Sequence, residues 1–175
     1  MIEFEFTLKF GFSSDSLKPD AYIKRLEEEG CDDALLGVGK SGRIALQFTR
    51  TADSAETAVL SAIKDVKRAI PNAKLIEATP DLVGLSDIAE VLGCSRQNIR
   101  KLMLNNQTSF PAPIHEGKAA LWHLSSILAW LEQGNRYSID KSLLHVSKAN
   151  MQINIAKEMT NLDPSLQAEV ISAVA

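Results

Sequence analysis

The sequence predicts an α+β protein. Three observations point there. The N-terminal run alternates apolar and polar residues; a second such run lies at residues 43–50; and beyond residue 80 apolar residues recur three and four apart. Ile2, Phe4, Phe6, Leu8 and Phe10 alternate with Glu3, Glu5, Thr7 and Lys9, a period of two that describes a strand with one buried face. A turn-rich segment, 11–20, follows. Residues 21–30 read as a helix with Tyr22 and Leu26 four apart and Gly30 as its stop. Residues 34–38 are a short apolar strand, 39–42 a hairpin connection, and 43–50 the returning strand with Ile44, Leu46 and Phe48 on one face. Asp53 or Ser54 caps a second helix, whose stripe is Val59, Ala62 with Ile63, Val66 and Ile70. Pro71-Asn72 ends it, and 73–78 is a last strand. Strand, helix, strand, strand, helix, strand is the ferredoxin-like βαββαβ order, which hosts many functions and identifies none.

Pro80 marks a boundary. Residues 84–103 place Leu85, Ile88, Ala89 and Leu92 on one helical stripe, with Ser86 as its cap and Asp87 at its positive end. Gly93 occupies the turn, where a positive φ is needed. Ser95 caps the next helix, which turns Ile99, Leu102 and Met103 inward and leaves Arg96, Gln97, Asn98, Arg100 and Lys101 outside. Residues 109–114 are extended, since each residue before a proline avoids the helical region. His115-Glu116-Gly117-Lys118 is a turn, residues 119–123 return as a strand carrying Trp122, and Ser125 or Ser126 caps a helix with Ile127, Leu128, Trp130 and Leu131. The order is helix, turn, helix, two-stranded wing, helix.

That order has a physical use. The second helix of a helix-turn-helix lies in the DNA major groove with its N-terminal residues on base edges. Arginine takes guanine bidentately, and glutamine or asparagine takes adenine, so Arg96, Gln97, Asn98 and Arg100 are the residue types that base reading needs. Lys101 suits phosphate, and the N–H groups at the helix start, with the Ser95 hydroxyl, attract a phosphate as well. The net charge is −3, yet between residues 95 and 123 Arg96, Arg100, Lys101 and Lys118 face Glu116 alone, so the positive charge is local.

The run from Leu85 to Ile99, followed by Phe110-Pro111-Ala112-Pro113 and then Trp122, resembles the MerR-like winged-helix modules, most closely the AlpA/excisionase type of phage and prophage regulators. The resemblance covers about a third of the chain. It implies that the helix from Ser95 enters the major groove and that the turn at His115 to Lys118 contacts the flanking backbone. It leaves outside it the sheet in front and the helices behind.

The expected organisation is therefore a ferredoxin-like α/β sandwich over 1–79, a winged helix-turn-helix over 80–134 and a helical tail over 135–175. In the tail, Leu144, Met151, Ile155 and Met159 form a stripe, and Asp163-Pro164 starts a short helix. The stripe packs on its own domain or pairs with a second copy; operators read by dimers favour a homodimer. The DNA-binding residues expected are Ser95, Arg96, Gln97, Asn98, Arg100, Lys101, His115 and Lys118. The expected function is a sequence-specific duplex DNA-binding protein, a transcriptional regulator acting as a repressor. The alternative is a DNA-binding adaptor in a defence, recombination or toxin–antitoxin complex, with a protein partner on the N-terminal domain.

Other features point to ordinary structure. Gly39-Lys40-Ser41 lacks the glycine five positions earlier, where Ala34 stands, and precedes a strand, so it is a hairpin and not a phosphate loop. His115, His123, His145, Cys31 and Cys94 have no metal-ligand spacing. No catalytic constellation appears around Asp32-Asp33 or Glu27-Glu28-Glu29, so no enzyme and no cofactor is expected. Phe4, Phe6, Phe10 and Phe48 are expected in a core or on a protein–protein surface, not stacked on RNA bases. No stretch suits a membrane span or a secretory signal, and two distant cysteines fit a reducing cytoplasm.

Overall fold

A computed structural model describes residues 1–12, 19–38, 42–134 and 137–174. The proposed hairpin at Gly39-Lys40-Ser41 lies outside these residues, as does most of the turn-rich segment before the first helix.

The first part contains β1 (Ile2–Gly11), α1 (Pro19–Glu28), β2 (Ala34–Val38), β3 (Arg43–Ala52), α2 (Ala55–Ala69) and β4 (Lys74–Thr79). The strands form one antiparallel sheet in the order β2-β3-β1-β4. Phe6 pairs with Phe48 and Leu8 with Leu46, so the apolar residues of β1 and β3 share a face. Phe6 and Phe48 stack at 5.3 Å. Phe4, Phe6, Phe10 and Phe48 are all buried under the helices, which removes them from any open base-stacking surface. The small residues of α2, Ala58 and Ala62, let it lie close to the sheet beside Val59 and Val66. Ser54 caps α2, accepting from the Thr57 N–H.

Behind this sheet an ion network joins three elements. Arg50 donates to both oxygens of Asp33, to Asp65 Oδ2, to Ser61 Oγ and to the Gly30 carbonyl. Burial alone would lower the Arg50 pKa, but the bonds to Asp33 and then Asp65 outweigh it and hold the guanidinium firmly charged. Cys31 lies alongside. Burial first, and then the Asp65 charge, push its thiol up to about 12.

The second part contains β5 (Leu82–Val83), α3 (Leu85–Val91), α4 (Arg96–Asn105), β6 (Trp122–His123) and α5 (Leu124–Gln133). Ile88, Ala89, Ile99, Trp122, Ile127 and Leu128 form its core. Three local expectations change here. The α3 helix begins at Leu85 with Gly84 as N-cap, so Ser86 is inside it, and the Asp87 carboxylate accepts from the Gly84 N–H at 2.7 Å. The α5 helix begins at Leu124 with no side-chain cap, and Ser125 is buried against Met151 instead of capping. Finally, β6 pairs with β5 and not with residues 109–114. Among the described residues, the backbone bonds between the two arms of the hairpin are Ile114 N–H to the Leu121 carbonyl and Leu121 N–H to the His115 carbonyl. Proline at positions 111 and 113 removes the donors that a longer ladder would need.

Two further helices complete the chain, α6 (Lys141–Met159) and α7 (Pro164–Val174). Asp140 caps α6, accepting from the Ser142 N–H and hydroxyl. The α6 helix serves both cores: Leu144 enters the second, while Val146 and Ala149 enter the first. Apolar residues therefore spread around the helix instead of forming one stripe. Only part of the stripe expected there is covered, because Ile155 and Met159 are exposed.

The segment between the sheet and β5 is held by the same helix. Asn154 Nδ2 donates to the Ala78 carbonyl at 2.8 Å and to Asp81 Oδ2 at 2.7 Å, and Asn154 Oδ1 accepts from the Ala78 N–H at 2.9 Å. A side-chain amide thus takes the place of a neighbouring strand on the outer edge of β4. Asn150 Nδ2 donates to the Pro80 carbonyl, Asp81 Oδ1 meets His123 Nδ1 at 2.6 Å, and the Asp81 carbonyl accepts from the Leu124 N–H. No helix among the described residues is long and apolar enough to cross a membrane.

Candidate nucleic-acid interface

The site is built by the turn between α3 and α4. Gly93 has φ +62°, a left-handed conformation that glycine adopts without a Cβ clash. It lets the Cys94 N–H return to the Ala89 carbonyl at 2.9 Å. Ser95 then adopts extended dihedrals and its Oγ accepts from the Asn98 N–H at 3.2 Å, so α4 starts where the sequence places it. That bond uses the hydroxyl as acceptor and leaves its proton to donate outward. Ile99 is buried beneath the helix, which fixes the opposite face toward solvent.

On that face Arg96, Gln97, Arg100, Lys101 and Leu104 line one shallow hollow of about 510 Å³. At 100° per residue, Arg96, Arg100, Leu104, Gln97 and Lys101 follow one another around less than half of the helix circumference. Asn98 falls outside this set, on the flank of the helix. The side chains of Arg96, Gln97, Arg100 and Lys101 have no hydrogen-bond or ion-pair partner among the described residues. The contrast with Arg50, whose guanidinium is saturated by the protein, is complete.

The hairpin stands beside α4. Trp122 Nε1 donates to the Pro111 carbonyl at 2.9 Å, and Phe110 meets Trp122 and Trp130 edge-on at 6.1 and 5.1 Å. These contacts fix the extended arm that leads to the turn. His115 and Lys118 are both exposed on that turn, apart from the α4 hollow. The His115 ring lies over Gly117, where a Cβ would come within 2.7 Å of its Nε2.

Sequence reading missed Leu104. Its signal is its spacing, four residues beyond Arg100 and three beyond Lys101, which sets it on the same face as the cations. Among the described residues no group of three or more His, Cys, Asp or Glu side chains could hold a metal ion. No protein-family model, no curated protein and no solved structure matches the chain.

Proposed function

We propose that this chain is a sequence-specific duplex DNA-binding protein: a winged helix-turn-helix of MerR-like, AlpA/excisionase type attached to a ferredoxin-like sheet. Its role is that of a transcriptional regulator, a repressor of phage or mobile-element type. The observation that carries the reading is the exposed face of α4, where two arginines, a glutamine and a lysine converge around Leu104 with no partner among the described residues. Arg96, Arg100 and Gln97 supply base-reading chemistry, and the Leu104 side chain is apolar enough to meet a thymine methyl. Lys101, Lys118 and His115 hold the phosphates on either side. Asn98, from the flank, contacts the groove wall.

A second copy of the chain completes the site. On α7, Leu166, Val170, Ile171 and Val174 are exposed, as are Leu162 and Met159 just before it. One such module reads few base pairs, and a dimer supplies the missing affinity. Light scattering at micromolar concentration that gives a monomer would remove this part of the proposal. The adaptor reading draws support from β2, the outer strand of the sheet, whose Leu35 is 73 % exposed. A protein that pairs with this edge would make the chain a link between DNA and a larger complex.

The test is selection of bound sequences from a random duplex library with the natural chain and with Arg96→Ala/Gln97→Ala. The natural chain enriches a site and the variant does not. Each single change costs about 1–3 kcal/mol on that site. Lys101→Ala instead weakens every duplex equally and flattens the salt dependence. No enrichment with the natural chain would overturn the reading.

A further inference from the structure

A second cluster of cations lies at the other end of β4. Gly11 closes β1, and in register it faces Arg43 on one neighbouring strand and Lys74 on the other. Strands lie about 4.8 Å apart, so Arg43 and Lys74 flank Gly11 at roughly 10 Å from one another. Lys67 reaches the same place from the last turn of α2, and Asn72 from the bend that follows. Together they line a cleft of about 790 Å³.

Three features of this cleft point to an anion. Among the described residues, none that lines it is acidic. Arg43, Lys67 and Lys74 have no hydrogen-bond or ion-pair partner among the described residues, and neither does the Asn72 side chain. Like charges gathered without a counter-charge repel one another, and a bound anion relieves that repulsion. Two glycines, moreover, keep the space between the cations open, with the Ile76 side chain lying against Gly11. Gly11 brings no side chain between Arg43 and Lys74. Gly42, at φ +78°, admits none without strain, since a Cβ there would come within 2.8 Å of the Phe12 carbonyl oxygen.

We infer that this cleft binds a small phosphorylated ligand, with Arg43, Lys67 and Lys74 on the phosphate oxygens and Asn72 donating at the rim. Its volume is that of a small-molecule site. Five residue steps of β4, about 17 Å, separate Lys74 from Thr79, where the chain leaves the sheet toward α3 and α4. The cleft is thus removed from the α4 face, and its assignment stands whether or not α4 reads DNA.

The experiment is titration of inorganic pyrophosphate into the isotope-labelled full chain, followed by amide chemical shifts at constant ionic strength. Saturable shifts are expected at Gly11, Gly42, Asn72 and Lys74. Arg43→Gln/Lys74→Gln weakens binding roughly tenfold or more, the usual loss when charge-assisted bonds are removed. These are exposed side chains, so the variant keeps its fold, which the rest of the spectrum reports directly. Arg96→Gln/Arg100→Gln leaves pyrophosphate binding unchanged. Three outcomes would overturn the assignment. One is the absence of saturable shifts. Another is equal weakening by the α4 variant, which would indicate general electrostatics. The third is movement of the same amides by duplex DNA but not by pyrophosphate, which would make the cleft a contact for the DNA backbone.

Discussion

Asn154 offers the sharpest test of how the two parts of the molecule are held. Asn154→Leu keeps the volume and removes three bonds: two neutral ones to the Ala78 peptide and one to the Asp81 carboxylate. Neutral bonds contribute about 1 kcal/mol each and a charge-assisted bond about 1.5–3 kcal/mol, so the plain sum is roughly 4 kcal/mol. Two facts reduce it. Asn154 is only half-buried, so water reaches part of the gap, and Asp81 keeps its bond to His123. The expected loss is about 3 kcal/mol, equal to a fall in Tm of roughly 6–12 °C for a chain of this size. Urea denaturation followed by circular dichroism measures it. Asn154→Asp should be worse than Asn154→Leu, because it brings a second carboxylate to Asp81 and cannot donate. A loss under about 0.5 kcal/mol for the leucine variant, with the aspartate no worse, would refute the role assigned to this amide.

Other perturbations follow from the same geometry. Arg50→Met leaves Asp33 and Asp65 without their main cation and should cost about 2–4 kcal/mol in denaturant; the value sits below that of a fully buried pair because Asp33 is 28 % exposed and Arg68 still holds Asp65. Arg50→Lys restores charge but not the fork, so it should recover less than half. The Ser142 hydroxyl bond, outweighing burial, holds the Asp140 carboxyl below its ordinary value. A depressed folded-state pKa means stability that is present above the unfolded value and lost as pH falls through the folded one. Asp140→Ala should therefore cost about 1 kcal/mol at neutral pH, and the difference from the natural chain should vanish in acid, as melting curves across pH will show. A thiol reagent counted by mass spectrometry should modify half-buried Cys94 first and reach Cys31, 4 % exposed and with its thiol at about 12, only after unfolding.

Much of this was legible in the sequence because its signals are local. Alternation in β1 fixed which phenylalanines are buried, Gly93 and Ser95 placed the turn and the start of α4, and Ile99 oriented its outer face. What the sequence concealed depends on distant partners. Ser86 and Ser125 have good capping chemistry, but Gly84 with Asp87 closes α3 first and Met151 receives Ser125. The pairing of β6 with β5 joins residues some forty positions apart, and two residues on each side leave almost no periodicity to detect. The double service of α6 was hidden for a related reason. A helix buried on two sides shows no single stripe, so its most informative residues, Asn150 and Asn154, look like ordinary polar positions. The cleft around Gly11 was invisible because Arg43 lies more than twenty positions before Lys67 and Lys74 and comes beside Lys74 only through the register of both strands on Gly11.

The shared helix has a consequence for how this chain comes apart. Leu144 is sealed in one core, and Val146 and Ala149, within five residues of it, are sealed in the other. Neither core can melt without stripping a side of α6, so heat should dissolve both in a single cooperative transition. A cut after Thr79 would leave the outer edge of β4 without its amide cover and the sheet without two of its buried side chains. The fragments would then be sticky halves of one folding unit, and an edge strand left bare in this way is a template for aggregation.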